Sequence, residues 1–370
     1  MSDLNGFISY STPKSEFWNG YYDLWNKSEE RSAYLLPELM KFYFRKYSGR
    51  TATFQFWRNE DLIGVGFFRK YKGVYYFLSD VRSDYNYFVF SKSLSYQEIS
   101  IFFRQFFNAI RFEQWNLRLN KVPTWARHYS LMKYQATEQC HFVNSVKYGV
   151  SPILEASTPQ DLNDKLEISK NVLYKSRRLQ RNHQIKFEVL KGNEGLPQWI
   201  DDFTCMHIKR WEGTTNPSKY TREEERQLLE KCMEIWSSEG VLVRTSLLVD
   251  NQRIVANFGL LQNDTFVGQG QSYDLAFYKH SPGKVLFSFL KEWMKDNDIR
   301  NLDFGDGDDS YKYEFPVRER ILEQVFIANR LSLRFILRAF FQKLIKENRT
   351  FNRIIHEQLK PAMFRLQHLF

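Results

Sequence analysis

The first half of the chain alternates short apolar runs with amphipathic stretches. Apolar and aromatic residues at helical spacing predict helices over 17–25, 35–47 and 96–112. Alternating apolar positions between turn residues predict strands over 51–57, 62–71, 73–78, 87–90, 115–119 and 141–151. The order is helices, an antiparallel meander, a helix and a strand, which indicates a self-contained domain.

The second half repeats this order after a break at Ser157-Thr158-Pro159, where a capping residue precedes proline. Its periodicity predicts helices over 162–182, 197–211 and 222–237 and strands over 185–190, 242–250, 253–261 and 265–273. A chain of 370 residues exceeds what one hydrophobic core usually supports. We therefore expect an α/β (α+β) protein of two domains with mixed, mainly antiparallel sheets.

The stretch from Gln269 to Phe315 is the most informative part of the chain. A β-prone run over 266–277 ends at His280-Ser281-Pro282-Gly283-Lys284, where Pro and Gly break the strand. A helix pattern, a short strand over 299–304 and an acidic glycine loop then lead to Tyr311. A glycine turn that feeds a helix N-terminus suits an anionic phosphate. A tyrosine just beyond the next strand can donate a proton to a leaving group.

Composition limits the classes of function. Hydrophobic residues make up 43% of the chain and aromatic residues 17%, which supports packed cores and argues against disorder. The cysteines Cys140, Cys205 and Cys232 are widely spaced, so they predict neither a disulfide framework nor a zinc site. No secretory signal pattern and no apolar run of about 18 residues is visible. These features predict a cytoplasmic protein.

The net charge of +10 is concentrated near the C-terminus, where residues 331–370 hold eight Lys and Arg against two Glu. Arg330, Arg334 and Arg338 recur every four residues beside an apolar face of Leu333, Ile336, Phe340, Phe341, Leu344 and Ile345. The pattern predicts an amphipathic helical tail. Its apolar side either packs on the protein body or makes peripheral contact with the inner membrane surface.

Several short strings together carry a family resemblance. They are residues 174–178 (YKSRR), 207–211 (HIKRW), 272–274 (SYD), 281–283 (SPG), 303–308 (DFGDGD) and 311–312 (YK). In this order and spacing they resemble the GNAT acyltransferases of the acetyltransferase-6 or BioF2-like group, which includes proteins similar to cellulose-biosynthesis acetyltransferases. The resemblance covers roughly residues 165–325.

The resemblance implies two tandem GNAT-like domains and a C-terminal helical extension. Residues 1–156 would form a degenerate copy, because its stretch 90–95 (FSKSLS) has no glycine where the second half has Ser-Pro-Gly. Residues 157–330 would form the acyltransferase domain, and residues 331–370 the basic tail. The same arrangement is similar to that of the peptidoglycan interpeptide-bridge aminoacyltransferases.

The resemblance also implies acetyl-CoA or another acyl-CoA as co-substrate, with no metal. The pyrophosphate would lie at His280, Ser281, Gly283, Lys284 and Val285. Most GNAT enzymes have Gln/Arg-x-x-Gly-x-Gly/Ala here, so only the central glycine is kept, and proline removes one backbone donor. Lys284 can restore part of the anion affinity as a point charge.

Tyr311 is the expected general acid for the departing CoA thiolate, with a core aromatic as the plain alternative. Asp303 is expected at the strand end beside the acceptor, and its alternative is a turn cap. The acidic loop lacks the register of a calcium-binding loop. His207 and Asp274 are candidates for general base or acceptor orientation, with a structural histidine and a helix cap as alternatives.

Four residues are candidates for acceptor binding. Lys175 and Arg178 belong to a basic cluster on a predicted helix, which is either a clamp for an anionic acceptor or a solvated face. The resemblance adds Trp211 and Lys312.

The function expected from these features is transfer of an acyl group from acyl-CoA to an amine or hydroxyl of a small-molecule, sugar, polysaccharide or lipid acceptor. The alternative is an aminoacyl-tRNA-dependent ligase, which double-GNAT folds also host and which the weakened phosphate loop and basic surface favour. A third alternative is a membrane-recruited partner protein without catalysis.

Overall fold

A computed structural model describes residues 4–214, 216–329 and 333–347. Contacts divide the chain into two compact units: one runs to Val150 and resumes at Arg320, and the other is Ser151–Glu319. These limits differ from the predicted divisions at 156/157 and 330/331. The differences arise because one strand, Phe142–Glu155, continues through Val150 and because residues 322–328 of another strand, Arg318–Ala328, pair within the first unit.

The described helices are α1 (Ser15–Lys27), α2 (Pro37–Lys46), α3 (Tyr96–Phe112), α4 (Tyr129–Gln139), α5 (Pro159–Lys165), α6 (Lys170–Asn182), α7 (Leu196–Trp211), α8 (Glu223–Ser238), α9 (Pro282–Asp296) and α10 (Leu333–Glu347). The strands are β1 (Leu4–Ser9), β2 (Thr51–Arg58), β3 (Asp61–Tyr71), β4 (Val74–Phe77), β5 (Val89–Phe90), β6 (Asn116–Pro123), β7 (Phe142–Glu155), β8 (Ile185–Leu190), β9 (Leu242–Val249), β10 (Gln252–Gln262), β11 (Thr265–Tyr273), β12 (Asn301–Asp303) and β13 (Arg318–Ala328).

The first unit orders its strands β1-β2-β3-β4-β6-β13-β7, with β5 beside β3. β2, β3 and β4 form an antiparallel meander. Helix α3 then crosses to β6, which runs parallel to β4. The second unit orders its strands β7-β12-β11-β10-β9-β8, where only the portion of β7 from Ser151 belongs to this unit.

The second unit repeats the same succession. β9, β10 and β11 form the antiparallel meander, α9 crosses over, and β12 runs parallel to β11. Such a crossover needs a helix, because parallel neighbours cannot be joined by a tight turn. The predicted fold class, with two similarly ordered domains and mixed sheets, is therefore confirmed.

A phenylalanine-rich core holds the first unit together. Helix α3 buries one face on the meander, where Phe102 and Phe106 contact Phe54 edge to face. Ser95 and Glu98 form a capping box that fixes the start of this helix.

The core of the second unit lies on both faces of its sheet. On one face, α9 buries Val285, Leu286 and Leu290 in a cluster that includes Val255 of β10. On the other face, Phe203 of α7 packs against Phe258 of β10. Residues 255 and 258 point to opposite sides of the strand, because side chains alternate along it. Helices α7 and α9 therefore flank the sheet.

Several sequence predictions differ from the structure. The helix predicted over 162–182 is two helices, α5 and α6. The run predicted as strand to residue 277 ends at Tyr273, because the Asp274 carboxylate accepts the Ala276 N–H and starts a 3₁₀ turn, Leu275–His280. Elements β1, α4 and β13 were not predicted.

Helix α10 is the described part of the predicted tail, whose remaining residues lie outside the described ranges. Phe335 and Ala339 are buried against Phe326 and Val146 of the first unit. One side of α10 therefore packs on the protein body, which was one of the two interpretations of the tail. A second side exposes Leu337, Phe340, Phe341 and Leu344. Within the described ranges, no helix combines the length and apolar character that crossing a bilayer requires.

Candidate active site

The candidate site lies in the second unit, where two parallel strands separate. β11 pairs with β12 through only three residues, from Thr265 opposite Asn301 to Val267 opposite Asp303. β12 ends there, whereas β11 continues to Tyr273 and stays paired with β10. The register of β10 and β11 shifts at Phe258/Gly259, at the same level. The last residues of β11 therefore border an opening in the sheet.

Helix α9 begins beside this opening. Ser281 has a left-handed conformation with φ 51°, and its carbonyl accepts the N–H groups of Lys284 at 2.9 Å and Val285 at 3.1 Å. Pro282 has no N–H. The first turn therefore offers an anion the helix dipole but fewer backbone donors than a turn without proline.

Gly283 lies against a side chain of β11. A Cβ at this position would be 2.3 Å from Gln271 Oε1. The close approach explains a small residue here without any ligand, and it places the amide of Gln271 at the helix N-terminus. Gln271 was not among the predicted site residues.

Cationic groups surround the start of α9, but several are already bound. Lys175 of α6 donates from Nζ to Ser281 Oγ at 2.8 Å and so supports the turn. Burial, followed by the charges of Arg178, His183 and Lys175, lowers the pKa of His280. Lys284 forms an ion pair with Glu314 at 2.6 Å, so the charge expected to attract phosphate is balanced by a carboxylate.

Tyr311 lies in a 3₁₀ turn, Ser310–Glu314, just beyond β12. Its ring contacts Phe304 edge to face, with the ring centroids 6.4 Å apart. Burial and the charge of Asp309 together raise the pKa of Tyr311 to about 12, and the charge of Arg210 opposes the rise. The phenol therefore stays protonated at neutral pH, as a proton donor requires.

The side chain of Lys312 holds the acidic glycine loop by hydrogen bonds. It is buried, and Nζ donates to the carbonyls of Gly305 at 3.3 Å, Asp306 at 3.1 Å and Gly307 at 3.1 Å. We predicted Lys312 to contact the acceptor. Its ammonium is instead bound by backbone oxygens, so it shapes the loop that precedes Tyr311.

Asp303 ends β12 and is buried. Its carboxylate accepts the Gly305 N–H at 2.9 Å and the Ser151 hydroxyl at 3.0 Å. These bonds correspond to the turn cap that was the alternative interpretation. Asp274 likewise caps the 3₁₀ turn after β11. Among the described residues, no three His, Cys, Asp or Glu side chains group together to hold a metal ion.

His207 is held on the other face of the sheet. Its Nδ1 lies 2.8 Å from Ser218 Oγ, and that oxygen accepts the Tyr220 N–H at 3.2 Å. Burial, then the charges of Arg210 and Lys219, lowers the pKa of His207 to about 4. His207 is neutral at pH 7 and a weak base.

Arg210 was not predicted as a site residue, although it belongs to the HIKRW string. Its guanidinium lies 4.5 Å from the ring centre of Tyr273 and 5.5 Å from that of Trp211. It also influences the pKa values of Tyr311 and His207. Arg210 therefore links the end of α7 with the end of β11 and with Tyr311. The signal that could have found it was its place in the HIKRW string, one turn after His207.

The equivalent helix start in the first unit is closed to anions. At α3, the Glu98 carboxylate accepts the Ser95 N–H at 2.9 Å, and the Ser95 hydroxyl accepts the Glu98 N–H. Arg58 pairs with the same carboxylate. A side-chain anion thus satisfies this helix terminus.

Part of the second unit is similar to a known family. Residues 168–313 match the family model of the acetyltransferase (GNAT) domain. This match agrees with the resemblance found in the sequence for this part of the chain. Membership of the BioF2-like group stays a prediction.

Solved structures share the fold over most of the chain. FemX has a TM-score of 0.55 at 9% identity, covering 87% of this chain and 97% of its own. The C-terminal domain of a protein described as a lysylphosphatidylglycerol synthetase from Agrobacterium fabrum has a TM-score of 0.54 at 9% identity, covering 90% and 96%. L-PGS from Bacillus licheniformis has a TM-score of 0.52 at 12% identity, covering 85% and 98%. At these identities the similarity shows the fold alone. No curated protein sequence matches the chain.

The depressed pKa of His207 predicts a pH dependence of stability. The folded pKa of about 4 lies below the value of about 6.5 expected in the unfolded chain, so the unfolded state binds the proton more readily. The stabilising effect is complete above pH 6.5 and is lost as pH falls toward 4. We expect chemical denaturation from pH 7.5 to 4 to show a steeper loss of stability in wild type than in His207→Gln. Parallel curves, or an imidazole NMR signal that titrates near pH 6.5, would contradict this assignment.

Proposed function

We propose that the second unit transfers an acyl group from acyl-CoA to an amine or hydroxyl of an acceptor molecule. The observation that carries the proposal is the separation of β11 from β12, with a helix N-terminus at one side and the protonated phenol of Tyr311 at the other. The match of residues 168–313 to the acetyltransferase (GNAT) family supports it.

The reaction needs positioning and proton transfer rather than strong electrophilic activation, because a thioester is already reactive. The acceptor nitrogen or oxygen forms a bond to the thioester carbon, and the carbon–sulfur bond then breaks. Tyr311 donates its hydroxyl proton to the departing thiolate, and the proton lost by the acceptor restores the phenol through solvent. Neither predicted base is well suited to this task, since His207 has a pKa of about 4 and Asp274 caps a turn.

The cofactor would bind along the start of α9. Ser281, Gly283 and Val285 would border the pyrophosphate, with Lys175 holding the turn. Gln271 lies over Gly283 and would border the same phosphate path. The acceptor classes we propose are a sugar or polysaccharide precursor, a lipid or an amino-acid derivative.

Substitutions at Tyr311 and Gly283 should affect different steps. Tyr311→Phe removes only the hydroxyl, so single-turnover rates on saturated enzyme should fall by about 10²–10⁴-fold while acyl-CoA affinity stays near wild type. Gly283→Val should instead weaken acyl-CoA binding in calorimetry, because a branched side chain displaces the backbone contact.

The neighbour of Gly283 supplies the control. If the glycine serves only to accommodate Gln271, the double variant Gly283→Ala, Gln271→Ala should bind acyl-CoA as well as Gln271→Ala alone. If the glycine admits pyrophosphate, the double variant should bind more weakly than Gln271→Ala. No heat of binding for acetyl-CoA or longer acyl-CoAs to wild type would overturn the proposed function.

A second candidate is transfer from aminoacyl-tRNA. The specific observation is that the start of α9 offers a pyrophosphate few free donors and no unpaired lysine, since Pro282 lacks an N–H and Lys284 is paired with Glu314. Meanwhile α6 exposes Arg177, Arg178 and Arg181, which suit a phosphate backbone.

The tRNA candidate predicts salt-dependent binding. Labelled tRNA should bind with an affinity that falls steeply as salt increases, and Arg178→Gln with Arg181→Gln should reduce the logarithmic slope by roughly two. Lys231→Gln on α8 is the matched control, because that lysine is exposed and pairs with Glu234. An absence of tRNA binding at low salt, with acyl-CoA bound, rules this candidate out.

We also infer peripheral contact of α10 with an anionic membrane. Its exposed apolar side chains lie beside the exposed Arg334 and Arg338, which is the makeup of an interfacial helix. Sedimentation with vesicles containing phosphatidylglycerol should be weakened by Phe341→Ser with Leu344→Ser. Phe112→Ser is the control, since Phe112 is 86% exposed on a different helix. Equal sedimentation of all three proteins would contradict the inference.

A further inference from the structure

Arg210 is held by aromatic rings. It lies in the last turn of α7, half-buried, with its guanidinium carbon 4.5 Å from the ring centre of Tyr273 and 5.5 Å from that of Trp211. Cation–π contacts of this kind hold the guanidinium without using its N–H groups. Those N–H groups therefore keep their capacity to donate.

No carboxylate of the described residues lies within ion-pair distance of Arg210, and no hydrogen bond engages its N–H groups there. Other poorly exposed arginines of the second unit have acceptors within the protein. Arg253 pairs with Asp202 and Glu188, and Arg244 donates to the carbonyls of Gly192 and Glu194. A partly desolvated guanidinium without an acceptor is costly for the folded protein. The N–H groups of Arg210 are therefore available to bind an anion from outside the chain.

Arg210 lies at the open end of β11. Tyr273 is the last residue of β11, so the guanidinium lies at the mouth of the opening between β11 and β12. Helix α7 packs on the face of the sheet opposite α9, whereas the Tyr273 ring packs with the core on the α9 side, so Arg210 reaches past the end of β11. The charge of Arg210 also reaches the phenol of Tyr311, the proposed proton donor.

We propose that Arg210 binds an anionic group of the acceptor, a carboxylate or a phosphate, and so places the neighbouring amine or hydroxyl at the thioester. The proposal rests on acyl transfer as the function of this unit. The planar fork of the guanidinium matches two oxygens of either anion. Tyr273 and Trp211 act as positioning residues, because their rings hold the guanidinium of Arg210 in place. The acceptor class is therefore narrowed to molecules that carry an acidic group next to the nucleophile.

The test compares acceptors that differ only in charge. Alanine is paired with alaninamide, and glucosamine phosphate with glucosamine, each supplied with acetyl-CoA to the full-length protein. The variants are Arg210→Gln, which removes the charge, and Arg210→Lys, which keeps the charge without the fork. Lys209→Gln is the matched control, an exposed lysine at the adjacent position. Calorimetry with each acceptor alone and with acetyl-CoA alone gives the two affinities separately.

The expected result is preferential use of one anionic member, with its KM or dissociation constant raised roughly 10- to 100-fold in Arg210→Gln, as for loss of a charge-assisted hydrogen-bonded pair. The neutral partner and the acetyl-CoA affinity should be unchanged, Arg210→Lys should recover part of the loss, and the control should match wild type. Equal losses for charged and neutral acceptors, or a loss confined to acetyl-CoA, would overturn the proposal. So would an Arg210→Gln variant that binds every probe as wild type does.

Failure of the proposed function would look different. In that case wild type binds no acetyl-CoA and makes no acylated product, yet the calorimetric comparison of anionic and neutral probes still reports on Arg210. Selective binding of the anionic probes that Arg210→Gln abolishes would then keep the anion site and reject the transfer reaction. Absence of any selective binding would reject both.

Discussion

The short pairing of β12 with β11 is the constraint on which the site depends. β12 stops at Asp303 because that carboxylate turns the chain onto the Gly305 N–H and the Ser151 hydroxyl. β11 continues past this point, so its last residues have a neighbour on one edge only. A longer β12 would close the sheet. The opening, the start of α9 and the placement of Tyr311 all follow from the early end of β12, which is three residues long.

Charge is distributed unevenly around this opening. On the α9 side, Lys175 and Lys284 are engaged by Ser281 and Glu314, and on the loop side Lys312 is buried under carbonyl oxygens. On the α7 side, Arg210 is supported by rings alone. Lysines in this unit thus stabilise the turns that form the site, whereas the arginine keeps its hydrogen-bonding edge for a ligand. The environment also affects protonation, since burial and the charges of Arg210 and Lys219 lower the pKa of the His207 imidazole.

The order of elements could be predicted because hydrophobic periodicity and turn residues are local signals. The helix after Ser-Pro-Gly and the strand before the acidic loop were found in this way, and α9 and β12 confirm them. The role of Lys312 could not be predicted, because its partners are carbonyls of a loop that folds back over it. The same holds for Arg210 and Gln271, whose contacts join residues far apart in the chain. Asp274, a candidate because it ends the strand before the Ser-Pro-Gly turn, caps the turn that follows, as short acidic side chains readily do.

Two helix starts in equivalent positions show how local stability and ligand capacity oppose each other. At α3, Ser95 and Glu98 satisfy the terminal N–H groups, and capping of this kind contributes roughly 1 kcal/mol. At α9, the residue before the helix is strained into a left-handed conformation and its side chain caps nothing. A helix end kept ready for an anion must leave its own donors unsatisfied. Consequently the start of α9 should fray more easily than that of α3. An anionic ligand bound there would take the place of the absent cap and stabilise the first turn of the helix.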